Sequence, residues 1–220
     1  MGPMPHATSA RAGWSLVVPL KPLGRAKSRL AGALGEALRP RLALAFAQDT
    51  VAAALECPAV ADVVVVTDDA VARRALTALG ARVLGDPPGG GLNPALRHGA
   101  RTVRSRRPRS AVAALNADLP ALRPEELTRV LNAAEEFPRA FLADAAGVGT
   151  TLLSARPGNE LEPRFGGASR ERHRRSGAGE VALVGVDSVR RDVDTGADLR
   201  AALELGVGRH TLRTSAASRG

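Results

Sequence analysis

The sequence predicts a single-domain α/β protein, a three-layer sandwich built around a mostly parallel central sheet. Three observations predict it. Trp14–Leu20, Asp62–Thr67 and Ser110–Leu115 are short valine-, leucine- and alanine-rich runs, apolar nearly throughout. That is the pattern of strands buried on both faces, which occur mainly in parallel sheets. Segments with apolar residues at helical spacing alternate with these strands, as layered α/β folds require. Finally, 220 residues is a length at which one domain buries most of its unfolded surface.

The elements follow in order. Residues 1–12 read as a disordered tail, without the continuous apolar core of a signal peptide. The folded domain is expected over 13–211, and a second tail over 212–220. Trp14–Leu20 is the first strand and Lys21–Ser28 a Pro/Gly loop after it. A helix follows within Arg29–Leu55, starting near Pro40, because proline is tolerated in a first helical turn. Asp62–Thr67 is the second strand, and Asp68 or Asp69 caps the helix that runs to Leu79. Gly80–Gly85 holds a turn and a third strand. Asp86–Asn93 is a Gly-rich loop and Pro94–Val103 a helix. Arg104–Arg109 reads as a solvated basic loop before the fourth strand. Asn116–Leu122 follows that strand, and Pro124 opens a helix to Glu136. Arg139–Ala143, Thr150–Ser154 and Val181–Val186 are further strands, and Asp194–Leu205 is a helix.

Charge narrows the function. The chain carries 31 basic residues and a net charge of +9, which favours an acidic partner. Binders of single-stranded nucleic acid usually add aromatic stacking platforms. Here tyrosine is absent, and Trp14 and the four phenylalanines do not interleave with the arginines. A small polyanion fits better than nucleic acid. No apolar run approaches the roughly 20 residues of a membrane span. The single cysteine, Cys57, excludes an internal disulfide. A cytoplasmic location is the default.

The lysines are the sharpest local signal. Lys21 and Lys27 are the two lysines of the chain, six positions apart in the loop after the first strand. An ammonium follows a phosphate more freely than arginine's planar fork does, so this loop is a candidate phosphate grip. In open parallel sheets ligands sit outside the carboxyl ends of the strands. The lysine loop, the Gly-rich loop and Asn116-Ala-Asp118 all fall there. Asp118 is either a turn-starting residue before Pro120 or a hard oxygen ligand for Mg2+. Asp192 and Asp194 alternate about Val193, so in an extended segment they share a face. Asp194 is open between metal ligation, the N-cap of the last helix, and both. A P-loop motif is absent, as is a dinucleotide-binding Gly-x-Gly-x-x-Gly after the first strand. The histidines show no metal-ligand or triad spacing.

One set of motifs is specific in combination. It comprises Val-Pro-Leu-Lys-Pro-Leu-Gly-Arg-Ala-Lys-Ser-Arg-Leu30, Val-Val-Thr-Asp-Asp69, Gly-Gly-Leu-Asn93, Asn-Ala-Asp-Leu-Pro120, Arg-Phe-Gly166 with Ser169, and Asp-Val-Asp-Thr195. Over about Trp14–His210 the chain resembles the guanylyltransferases of coenzyme F-420 biosynthesis. These have a nucleotide-diphospho-sugar transferase-like fold, Rossmann-like and GT-A-like. The resemblance implies transfer of GMP from GTP to phosphoenolpyruvate, with 2-phospho-L-lactate or 3-phosphoglycerate as alternative acceptors. It implies catalytic roles for Lys21, Lys27 and Asp118. It sets Lys21, Arg25 and Lys27 on the GTP phosphates and Gly90, Gly91 and Asn93 near the nucleoside. It makes Asp118, Asp192 and Asp194 ligands of Mg2+, two ions being expected. It assigns Thr151, Gly166 and Ser169 to phosphoenolpyruvate, with Arg172 or Arg175 adding charge. It also implies hand-over of the product to the next enzyme of the pathway. The Pro-Leu-Lys-Pro-Leu-Gly loop stands where molybdopterin and sugar-phosphate nucleotidyltransferases carry a Gly-rich signature. A basic nucleic-acid-binding protein is the alternative from another class.

Overall fold

In the computed structural model, which describes residues 13–25 and 38–217, seven strands form one sheet. In chain order they are β1 (Trp14–Pro19), β2 (Val60–Val66), β3 (Arg82–Leu84), β4 (Val112–Leu115), β5 (Arg139–Ala143), β6 (Thr150–Ala155) and β7 (Gly179–Glu180). Their order across the sheet is β3-β2-β1-β4-β6-β5-β7. β1 pairs in parallel with β2 and β4, β2 with β3, and β5 with β7. β6 runs antiparallel to both its neighbours, β4 and β5. The helices are α1 (Leu38–Glu56), α2 (Ala70–Ala78), α3 (Leu92–Arg106), α4 (Pro124–Ala134), α5 (Ser169–Arg175), α6 (Asp187–Arg190), α7 (Gly196–Leu205) and α8 (Arg209–Ala216).

Strand alternation divides the core into two layers. Leu16 and Val18 of β1 pack with Val63 and Val65 of β2 against Val51 of α1, Leu76 of α2 and Leu127 of α4. Val17, Val64 and Val66 face the other way, against Leu96 and Val103 of α3. Each fully buried side chain of this size contributes about 1.5–3 kcal/mol. Gly99 lets α3 lie close on the sheet: a Cβ there would stand 2.4 Å from a Val17 methyl. A third cluster joins Leu42 and Phe46 of α1, Ala121 after β4, Val193, and Leu199 of α7. It lies under the segment that carries Asp192 and Asp194.

Four expectations change. Val181–Val186 is not a strand, since β7 ends at Glu180. Only the first residues of that run reach a partner, through Val181 N–H to Phe141 O. Arginine side chains take the later carbonyls, Arg129 bonding Val184 and Gly185 and Arg190 bonding Leu183. The expected basic loop at Arg104–Arg109 begins as the last turn of α3. There Arg104 pairs with Glu160 and Arg107 with Asp62. Residues 212–216, expected in a tail, belong to α8. The Asp49 carboxylate on α1 caps that helix by accepting the N–H groups of His210 and Thr211 at 3.0 and 2.8 Å. Asp194 is not the N-cap of α7. Thr195 is, in a capping box with Asp198.

Candidate active site

A cavity of about 530 Å³ opens at the carboxyl ends of β1 and β4. Its wall joins Lys21 after β1, Asp118 after β4, Asp144 after β5, Thr150 at the start of β6, Gly166 and Ser169 before and at the start of α5, and Asp192 and Asp194. Residues separated by over 170 positions in the chain thus share one space.

The lysine loop is tied to the scaffold by Asp69. One oxygen of Asp69 caps α2, accepting Val71 N–H and Ala72 N–H at 3.0 Å each. The other accepts Leu23 N–H at 2.9 Å, inside the 3-10 turn Leu23–Arg25 that follows Lys21. Burial alone would raise the Asp69 carboxyl pKa. The N–H bonds from Ala72, Leu23 and Val71, with Arg74 nearby, outweigh it and hold the group below its ordinary range. Lys21 is exposed and lines the cavity. Lys27 and the side chain of Arg25 lie outside the described residues.

The Gly-rich loop enters the site indirectly. Gly91 is the N-cap of α3 at φ 143°, a conformation that favours glycine. Gly90 and Gly91 are not in the cavity wall, whereas Leu92 is. Asn93 is occupied elsewhere. Its carboxamide donates to Phe165 O at 3.2 Å and accepts Phe165 N–H at 2.8 Å, clamping the residue before Gly166.

The carboxylates are held by backbone. Thr50 on α1 straddles the turn after β4: its hydroxyl reaches Ala117 O at 3.2 Å and accepts Leu119 N–H at 3.0 Å, fixing Asp118 between them. Asp118 O accepts Val193 N–H at 3.0 Å. Val193 is fully buried, so its neighbours Asp192 and Asp194 both turn to the cavity, as alternation predicts. Asp144 is a fourth carboxylate on the wall. It accepts Val148 N–H and Gly149 N–H at 2.9 and 2.8 Å and shapes the β5–β6 loop. Among the described residues no group of three His, Cys, Asp or Glu side chains is arranged to hold a metal ion.

At the other end of the cavity the register of β6 matters. Leu142 pairs with Leu152 but Ala143 pairs with Thr150, so Thr151 is the extra residue of a bulge. A bulge re-aims side chains. Simple alternation would put Thr150 on the face opposite Leu153. Instead it bonds to His173 of α5, on the Leu153 face, and lines the cavity. Thr151 is fully buried, its hydroxyl has no hydrogen-bond partner, and it is not in the wall. Gly166 and Ser169 are. His173 is fully buried between Phe141 and Phe165. Its Nδ1 lies 3.0 Å from Thr150 Oγ1, and its Nε2 accepts Arg164 N–H at 3.0 Å. Burial first, then Arg139, Arg172 and Arg164, pushes its pKa down to about 4.

A family profile described as "Guanylyl transferase CofC like" matches residues 14–213 of this arrangement. The chain belongs to the CofC-like guanylyl transferase family. Among its relatives, the "Phosphoenolpyruvate guanylyltransferase" of Streptomyces coelicolor is 70% identical over 203 residues, 92% of this chain and 96% of that one. Solved structures share the fold at lower identity. A nucleotidyl transferase from Methanothermobacter superposes with a TM-score of 0.64 at 22% identity, covering 92% of this chain and 99% of that one. A Mycobacterium tuberculosis protein in complex with manganese gives 0.56 at 24%, covering 87% and 98%.

Within this CofC-like chain, the arginine run on α5 divides by role. Arg170 and Arg174 pair with Glu180, and Arg174 and Arg175 with Glu171. The Arg172 guanidinium instead stands beside Gly166 and Gly167. Of the two arginines expected to add charge there, Arg172 is the one next to the cavity wall. Sequence reasoning missed Asp144, Thr150 and His173. No motif marks them, and each is defined by a partner on another element.

Proposed function

We propose that the protein transfers GMP from GTP to phosphoenolpyruvate, releasing pyrophosphate, within coenzyme F-420 biosynthesis. The observation that carries this reading is the shared cavity, which joins a lysine loop, four carboxylates and a Gly/Ser anion end within one guanylyl transferase family member. The naming of relatives at 70% identity as phosphoenolpyruvate guanylyltransferases supports the acceptor.

The attacking phosphate oxygen is already an anion at neutral pH, so no general base is required. The work is to bring two anions together in line and to stabilise the charge that develops. Lys21, exposed on the cavity wall, is proposed for the phosphates of GTP, with Lys27 and Arg25 beside it. Gly90 and Gly91 are proposed near the nucleoside. Gly166, Ser169 and Arg172 would receive the phosphate or carboxylate of the acceptor, and Thr151 was expected to join them. Hard carboxylate oxygens suit Mg2+; Asp118, Asp192 and Asp194 share the cavity wall without being gathered as a ready ligand set, and they are the residues proposed to hold it, one ion or two. When bound it supplies charge neutralisation and a template for the phosphates. A neighbour of the same fold was crystallised with manganese. Asp118 and Val193 keep the two carboxylate-bearing segments in register through their backbone bond. The α5 arginine cluster gives little support to a nucleic-acid partner, because Arg170, Arg174 and Arg175 are ion-paired within the chain. No helix among the described residues is long and apolar enough to cross a membrane. Hand-over of the product to the following enzyme is part of the same proposal.

The test is pyrophosphate release from GTP and Mg2+ with phosphoenolpyruvate, 2-phospho-L-lactate and 3-phosphoglycerate in parallel, the product being weighed by mass spectrometry. Release with phosphoenolpyruvate is expected. Release only with another acceptor refutes the acceptor; no release with any of the three refutes the activity.

A further inference from the structure

Two threonines stand side by side at the start of β6, and the bulge gives the cavity to the first. Thr150 is in the wall and Thr151 is not. The state of the histidine beside it follows from geometry alone. The N–H of Arg164 is an obligatory donor, and it points at His173 Nε2 at 3.0 Å. Nε2 must therefore carry a lone pair, which leaves the ring proton on Nδ1. Nδ1–H then donates to Thr150 Oγ1 at 3.0 Å. A hydroxyl that accepts along one direction has its own proton left to give in another. Thr150 is itself nine-tenths buried and lines the cavity with Gly166 and Ser169. Among the described residues its hydroxyl makes no hydrogen bond other than the one to His173, which leaves its proton for a ligand in that shared space.

We infer that His173 is a positioning residue that locks the Thr150 hydroxyl as a hydrogen-bond donor toward an anionic oxygen of the three-carbon phosphate acceptor. This rests on the acceptor end of the reading above. The same imidazole performs a second task, because its bond to Arg164 N–H holds the start of the Arg164–Gly167 loop. Asn93 holds that loop one residue further on, at Phe165. The ring is gripped by Phe141 and Phe165 at centroid distances of 5.9 and 5.0 Å. The positive groups around it, Arg139, Arg172 and Arg164, oppose a charge on the ring. A neutral ring is what the arrangement requires, since an imidazolium would aim a second proton at the Arg164 N–H.

Two measurements on the full chain test this. Nitrogen-15 NMR of the histidines at pH 7 reads the tautomer without any turnover. A protonated Nδ1 with a bare Nε2 at His173 is expected; the reverse tautomer or an imidazolium overturns the inference. Steady-state kinetics with GTP and phosphoenolpyruvate read the hydroxyl. A hydrogen bond to a charged oxygen lost in Thr150→Val raises KM for phosphoenolpyruvate about tenfold or more, with KM for GTP unchanged. Thr150→Ser, which keeps the hydroxyl, restores most of the loss. His173→Phe raises the same KM, and the double variant is little worse than either single one. Unaltered KM in a folded Thr150→Val, or equal losses in both KM values, overturns the inference. If the unaltered protein turns over none of the acceptors, the reading of the activity fails, while the NMR tautomer still decides the orientation.

Discussion

Asp69→Ala removes three hydrogen bonds at once, and two of them can be separated from the third. The Oδ1 bonds to Val71 and Ala72 are a helix cap, worth about 1 kcal/mol. The Oδ2 bond to Leu23 ties down the loop after Lys21 and is worth about 1 kcal/mol more. Together the loss is about 2 kcal/mol, which lowers the melting temperature of a domain of this size by roughly 4–8 °C. Asp69→Asn keeps an oxygen for the cap, because asparagine caps as well as aspartate. It turns an NH2 toward the Leu23 N–H, so the loop tie alone is lost. The expected pattern is a fall in stability mainly in Asp69→Ala and a several-fold rise in KM for GTP in both variants. The pH sign agrees. A carboxyl held below its ordinary value of 3.8 stabilises above that pH, and its contribution fades as pH falls through the lowered value. The acid limb of Asp69→Asn below about pH 4 is therefore shallower. Thermal scanning and initial-rate kinetics read both effects. Unchanged KM for GTP in both folded variants would refute the reasoning that Asp69 positions the lysine loop.

Three further outcomes are expected. Asp118→Asn lowers turnover about a hundredfold or more with little change in melting temperature, and near-normal turnover in the folded variant sinks the metal assignment. His173 has a pKa of about 4 in place of 6.5, so unfolded chains bind the extra proton between those values. Stability then falls by roughly 3 kcal/mol as pH drops from 6.5 to 4 and levels below; denaturant titrations across that range should show a flatter profile for His173→Phe. Gly208→Ala puts a Cβ 2.3 Å from Asp49 Cγ and overpacks the α1–α8 contact. The expected cost is about 1–3 kcal/mol, read by denaturant unfolding.

Local physics makes much of this legible in the sequence. Apolar runs marked β1, β2 and β4, and the rule that ligands gather at strand carboxyl ends brought Lys21 and Asp118 toward one place, whereas Gly166 and Ser169 came from the family resemblance. The alternation of Asp192 and Asp194 about Val193 also held. Information that spans the chain was hidden. The Asp69–Leu23 tie bridges 46 residues and the Thr50–Leu119 bond 69. Helix α8 needs Asp49 from over 160 positions away, so its last five residues, 212–216, read as tail. The bulge at Thr151 requires knowing what β6 pairs with, and without it the two threonines cannot be told apart by counting. His173 offered only a position in an arginine-rich run, and its meaning lies in Thr150 and Arg164.

The reversed strand β6 has a consequence for how such a protein can vary. In a sheet of uniformly parallel strands, the starts of strands lie at the end remote from the ligand. Because β6 runs backwards between β4 and β5, its first residues arrive at the rim beside Asn116, whose N–H reaches Thr151 O. The hairpin loop 144–149 is therefore a wall of the reaction space rather than a distant connection. Changes in its length would widen or narrow the room for the acceptor while leaving β1, β2 and the lysine loop untouched. One inverted strand lets one half of a two-substrate site be retailored independently of the other.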